Sequence, residues 1–180
     1  KYIITFWKVI QSCLSGYLIK KCYIDCNKDR LKKYKDTKIE SKQFKEFEFI
    51  YLRRIGATQS TEVHLCYHII TGKFYAVKIF KDDRDNEKSK NREIRNYQTI
   101  NYPFIPEYFG LTTKDCNDSI VIEYIDGTVL DNKTILQLTF DEKVTINLEF
   151  LHTIQYLHKN NYIYRDFKLN NLMLDKFKRI

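Results

Sequence analysis

Alternation is the clearest pattern along the middle of the chain. Phe47, Phe49 and Tyr51 alternate with polar neighbours, Val63, Leu65 and Tyr67 do the same, and Thr71-Gly72-Lys73 supplies a turn before the apolar run Phe74 to Phe80. A period of two over short runs bounded by turn residues predicts three successive strands. Tyr108 to Thr113 and Ser119 to Tyr124 read as a further hairpin around the polar stretch Lys114 to Asp118, and Glu87 to Ile100, charged and free of Pro and Gly, reads as a helix between the two groups. Farther on, Val144, Leu148 and Leu151 together with Ile146, Phe150 and Ile154 place apolar side chains on more than one side of a helix that Asp141 can cap. Such a helix is expected to be buried.

Composition narrows the class. A chain of 180 residues with 43% hydrophobic residues can bury a core, and two Pro with five Gly exclude collagen-like repetition and argue against disorder. The formal charge of +8 raises a nucleic-acid or acidic-membrane partner. The lysines are interspersed with acids, most densely from Lys28 to Lys45, and no aromatic stacking motif frames them, so a solvated basic face is the better account and no nucleic acid is expected. Five cysteines, Cys13, Cys22, Cys26, Cys66 and Cys116, include no C-x-x-C pair. Free thiols in a reducing compartment follow, and a zinc site built from Cys22, Cys26 and a distant histidine lacks the second pair such sites use. The segment Tyr2 to Ile19 carries Lys8, Gln11 and Gly16 inside it and reads as a packed amphipathic helix rather than a membrane span.

The chemistry-bearing run is Tyr164-Arg165-Asp166-Phe167-Lys168-Leu169-Asn170-Asn171, followed by Leu172-Met173-Leu174. It resembles the protein kinase catalytic loop, H-R-D-L-x-x-x-N. Upstream, Tyr75-Ala76-Val77-Lys78 resembles the V-A-I-K strand of the same family, and Gly56-Ala57-Thr58-Gln59-Ser60-Thr61-Glu62-Val63 keeps Gly56 and Val63 of its G-x-G-x-x-G-x-V loop. Ser119 to Gly127 is similar to the strand entering the hinge between the family's two lobes. These motifs appear in the family's order, over roughly Phe47 to Ile180.

The resemblance implies an α+β protein-kinase-like fold: a complete small lobe at about 47–126, an antiparallel sheet with one helix, and the start of a helical large lobe at about 127–180. Residues 1–45 stand outside it as a segment of unknown role. It further implies a serine/threonine-type kinase using ATP and Mg²⁺ on a protein substrate, with an intracellular, cytoplasmic setting. Asp166 would be the base, Lys168 the neutraliser of phosphoryl charge, and Asn171 a catalytic-loop residue and metal ligand. Lys78 would contact the α- and β-phosphates, with Glu93 its helical partner in preference to Glu87. Glu93 shares a helical face with Tyr97 and Ile100.

Around the nucleotide, Ile55, Gly56 and Val63 would frame the phosphate loop and Ala76 the adenine, which Met173 closes from the other side. The Glu123 carbonyl and the Ile125 amide would meet the adenine edge, with Ile122 as gatekeeper. Two departures bear on function. Thr58 and Thr61 stand where glycines are expected, stiffening the loop and crowding the phosphate approach. The sequence also opens on Lys1 and closes at Ile180 before any D-F-G, so the expectation is a fragment of a longer protein or a truncated product, inactive by itself. The rival reading is a pseudokinase, a binding module that keeps the fold with little or no turnover.

Overall fold

The computed structural model describes residues 41–81, 87–177 and 180. The helix expected over Tyr2 to Ile19, most of the basic run from Lys28 to Lys45, and Cys13, Cys22 and Cys26 fall outside the described residues. The described residues divide into two compact units, 41–126 and 127–180.

In the first unit six described strands form one sheet: β1 (Lys42–Gln43), β2 (Phe49–Ala57), β3 (Thr61–His68), β4 (Lys73–Phe80), β5 (Tyr108–Lys114) and β6 (Asn117–Glu123), in spatial order β1-β5-β6-β4-β3-β2. All neighbouring pairs are antiparallel except β1 with β5. The helix α1 (Glu87–Thr99) follows β4. The predicted order of three strands, a helix and two strands is present. The first of these starts at Phe49 rather than Phe47, which lies in a 3-10 turn (Glu46–Glu48) with its ring exposed. Strand β1 has only two residues and no alternation, so it left no periodic trace.

Central strand β4 shows why the sheet folds this way. Tyr75, Val77 and Ile79 point to one face, where they meet Phe44, Phe49, Cys66 and Val121. Ala76 and Phe80 point to the other, where Ile120, Ile122 and Tyr108 pack with Ile94 and Tyr97 of α1. A strand covered on both faces is expected to be continuously apolar. From Phe74 to Phe80 only Lys78 breaks the run.

Residues 41–48 cross the first of these faces as a strap. The Phe44 amide donates to the Leu111 carbonyl at 2.8 Å, and the Phe44 ring packs against Phe49, His68 and Tyr75. Glu46 receives Lys114 Nζ at 3.1 Å. The buried His68 is bound on both nitrogens, to Thr71 Oγ1 at 2.9 Å and Glu48 Oε2 at 3.4 Å. Burial pushes the Cys66 thiol up to about 12, so this free cysteine is a core side chain without thiolate reactivity.

The second unit holds a two-stranded antiparallel pair, β7 (Gly127–Val129) with β8 (Met173–Asp175), a short helix α2 (Asn132–Gln137) and the longer α3 (Phe140–Lys159). Thr139, not Asp141, is the N-cap of α3. Its Oγ1 accepts from the Glu142 amide at 3.2 Å while Glu142 Oε2 accepts from the Thr139 amide at 2.8 Å, a reciprocal box that a hydroxyl at the cap and a glutamate three residues on can close. Ile146, Glu149, Thr153 and Leu157 are its buried positions, and the other apolar side chains named above are half-buried rather than enclosed. Among the described residues no helix is long and apolar enough to cross a membrane.

Gly110 is where the strap requires glycine. A Cβ there would stand 1.9 Å from the Lys42 carbonyl oxygen, a backbone atom that cannot rotate away. Gly110→Ala is therefore expected to lower the unfolding free energy by about 1–3 kcal/mol, the usual range for overpacking, and to speed hydrogen exchange of the Phe44 amide. Unchanged denaturant midpoint and exchange would show that the strap is not held at this crossing.

Candidate functional site

The motif residues assemble separately in each unit. In the first, Lys78 lies on β4 opposite Val63 of β3 and Ile120 of β6. The aliphatic stem of a lysine suits an apolar strand, whereas its ammonium requires an anion when water is scarce. Glu93 of α1 supplies it: Lys78 Nζ donates to Glu93 Oε1. Glu93 is held at this spot because the next residue, Ile94, and Tyr97 one turn on seat α1 against the sheet. Ile100, expected on the same face, falls just past the end of the helix. Glu87 is the first residue of α1.

Around Lys78 the remaining residues occupy definite positions. Ala76 is buried between Leu65 and Ile122 in the register of the sheet. Ile55 and Gly56 lie on β2, and a Cβ at Gly56 would come no nearer than 3.7 Å to the Val63 side chain, so local packing leaves room for one. Glu123 ends β6 with its amide donating to the Glu107 carbonyl at 2.8 Å and its carboxylate accepting from the Glu107 amide at 3.2 Å. Ile125 follows outside any strand.

In the second unit the chain leaves α3 through Asn160 and the left-handed Asn161, with the Tyr162 amide closing back on the Leu157 carbonyl at 2.8 Å. The loop that follows brings Asp166, Lys168 and Asn171 together. Lys168 Nζ lies 2.9 Å from Asp166 Oδ2. Asn171 Nδ2 donates to the same oxygen and to the Asp166 backbone carbonyl, each at 2.9 Å. The hydrogen bond from Lys168, seconded by that from Asn171, holds the Asp166 carboxyl below the usual carboxylate range. Both donors converge on Oδ2, so Oδ1 keeps its lone pairs for another proton donor. With Nδ2 committed, Asn171 presents Oδ1, a hard oxygen suited to magnesium. Met173 sits on β8, paired with Val129.

Magnesium commonly takes one or two protein oxygens and completes its shell with water and substrate phosphates. Among the described residues no group of three His, Cys, Asp or Glu side chains could hold a metal ion, and Asn171 Oδ1 is an oxygen of the kind that could serve a shared site.

Two features carry no signal in the motif itself. The Phe167 ring stacks on Phe150 of α3, centroids 4.4 Å apart at 27°, and so ties the loop at Asp166 to the helix. The turn Thr58 to Thr61 is closed by its own hydroxyls, with Thr58 Oγ1 and Thr61 Oγ1 2.8 Å apart. A Thr-x-x-Thr spacing at a hairpin tip is the cue that could have found the second; the first needed three-dimensional proximity.

Comparison with known proteins bears on the family. The family described as protein kinase domain matches residues 49–180. Serine/threonine-protein kinase dst1 of Dictyostelium discoideum is 34% identical over 125 residues, which are 68% of this chain and 17% of that protein. RAC-beta serine/threonine-protein kinase A of Xenopus laevis is 32% identical over 136 residues, 72% of this chain and 28% of that protein. Serine/threonine-protein kinase BCK1/SLK1/SSP31 of Saccharomyces cerevisiae is 28% identical over 145 residues, 74% of this chain and 10% of that protein. The chain thus spans between a tenth and under a third of the length of these curated relatives.

The low Asp166 titration is testable by itself. Replacing Lys168 by Met removes its largest cause, and the Asp166 carboxyl carbon, followed by NMR, is expected to titrate at higher pH than in the parent chain. A lowered folded-state value contributes stability above the unfolded value and loses it as pH falls through the folded one, so the variant should also show a weaker acid dependence of stability in that window. An unmoved titration would mean that Lys168 does not hold the carboxylate.

Proposed function

Because the chain belongs to the protein kinase family, we propose that it serves a serine/threonine-type kinase that moves the γ-phosphoryl group of Mg-ATP to a hydroxyl of a protein substrate. The observation that carries this reading is the convergence of Lys168 and Asn171 on one oxygen of Asp166. That arrangement keeps the carboxylate ionised and its second oxygen available. Asp166 Oδ1 orients the substrate hydroxyl and accepts its proton as the new P–O bond forms, while the bond to the β-phosphate breaks and ADP leaves. Lys168, held beside Asp166, would carry positive charge toward the transferred group. Magnesium, when bound, neutralises phosphate charge, and Asn171 Oδ1 would be one of its ligands.

In the first unit, Lys78 is the phosphate-binding lysine and Glu93 fixes its direction. Ala76, Val63 and Ile55 flank the nucleotide, with the Glu123 carbonyl and the Ile125 amide at the adenine edge. Phosphoryl transfer rests on positioning and charge neutralisation, and among the described residues Asn171 is the metal ligand that this reading assigns. A second reading, a nucleotide-binding module with little turnover, draws support from the self-closed Thr58–Thr61 turn.

The test uses the complete protein that contains these residues. Asp166→Asn is expected to lower kcat by about 10²–10⁴-fold, the usual share of general-base catalysis, with ATP affinity nearly unchanged. Lys78→Met should lower turnover through misplaced phosphates. Full turnover by the Asp166 variant would overturn the assignment of the base. Measurable ATP binding without any transfer, by the parent protein, would favour the binding module.

A further inference from the structure

The hairpin between β2 and β3 is closed in a way that bears on phosphate binding. Ala57 pairs with Glu62, and inside that pair the Thr58 amide donates to the Thr61 carbonyl at 2.8 Å, which leaves Gln59 and Ser60 as a two-residue tip. In an ordinary tip of this length the fourth residue's amide bonds to the first residue's carbonyl. Here the Thr61 amide donates to the Thr58 hydroxyl oxygen at 3.1 Å, and the two threonine hydroxyls share a further hydrogen bond at 2.8 Å. Thr61 is itself buried, and the Ser60 carbonyl accepts from the Lys81 amide at 3.0 Å, so the closed turn is anchored to the end of β4. Neither Gln59 nor Ser60 takes a positive φ, so the tip needs no glycine to hold this shape.

The strand register places Val63 opposite Lys78, two residues from Thr61. The loop and the lysine thus belong to one ladder. A loop that cradles phosphates does so with free backbone amides. In this chain the Thr61 amide is already taken by a side chain, while those of Gln59 and Ser60 have no acceptor among the described residues.

We propose that Thr58 is a latch that occupies the Thr61 amide and sets the affinity of the site for the phosphates of its nucleotide, leaving the affinity for the nucleoside part untouched. The proposal rests on the nucleotide-binding reading above and adds a specificity-determining residue to it. A phosphate oxygen can reach the Thr61 amide only by displacing the Thr58 hydroxyl, so each phosphate-bearing ligand must break a hydrogen bond that adenosine does not meet.

Calorimetry on the complete protein, with adenosine, ADP and Mg-ATP as separate probes, tests this. Thr58→Ala is expected to bind Mg-ATP and ADP about threefold to tenfold tighter than the parent, the weight of one neutral hydrogen bond, with adenosine unchanged. Thr58→Ser, which keeps the hydroxyl, should match the parent for all three. If Thr58→Ala leaves ADP and Mg-ATP unchanged or weaker while adenosine still binds, the latch is overturned and nucleotide binding stands. Loss of adenosine as well in that variant would mean that the turn serves folding, which also overturns the latch. Failure of the parent and both variants to bind any of the three probes would remove the nucleotide-binding reading, and the latch with it.

Discussion

The ion pair between Lys78 and Glu93 is the constraint around which the first unit is organised. A strand covered on both faces has no ready place for an ammonium, and the sheet accepts one because α1 delivers a carboxylate to it. That delivery in turn depends on Ile94 and Tyr97, which seat the helix, and on Tyr108, Ile120 and Ile122, which form the surface it sits on. Apolar packing therefore determines where the charge pair forms, and the charge pair explains why the apolar run of β4 is interrupted at Lys78 alone.

In the second unit the organisation is reversed, because the charged group is exposed and the anchors are apolar. Asp166, Lys168 and Asn171 hold one another at the surface, while Leu172 and Leu174 on their C-terminal side are buried with Leu130, Leu138 and Ile146. The Leu130 amide donates to the Leu172 carbonyl at 2.8 Å, and the Phe150–Phe167 stack grips the loop from the helix side. A short loop fixed at both ends can present a carboxylate in one orientation without burying it, which avoids the desolvation that raises carboxyl pKa values.

Much of this was legible in the residues, and the exceptions share a cause. Alternation exposed β3, and short apolar runs bounded by turn residues exposed β4 and the β5–β6 hairpin, because β4 and β6 bury both faces and so show no gap every second residue. The motif spacing singled out Lys78, Asp166, Lys168 and Asn171, and the helical spacing of Glu93 and Tyr97 selected the carboxylate that pairs with Lys78. Strand β1 was invisible because two residues cannot show a period, and Phe47 misled because it continues an alternation begun by residues that are buried. The Asp141 cap was misplaced by two residues although Thr139 and Glu142 spelled the box, since an aspartate in the first turn looks much like a cap. The hydroxyl closure of the Thr58 turn and the Phe150–Phe167 stack depend on χ angles and proximity, which no periodicity encodes.

The strap has a consequence for association as well as for folding. Without β1, strand β5 would end the sheet on that side and offer a row of unsatisfied amides and carbonyls, the template on which strands from other chains add and aggregates grow. Lys42 and Gln43 cover part of that row, and Phe44 extends the cover by taking the Leu111 carbonyl. On the opposite side β2 is defended differently, by register breaks after Tyr51 and Arg54 and by the exposed charges of Arg53 and Arg54. Among the described strands one margin is thus capped by the chain's own preceding residues and the other is irregular and cationic, two different ways of disfavouring strand addition in a protein rich in β-forming aromatic residues.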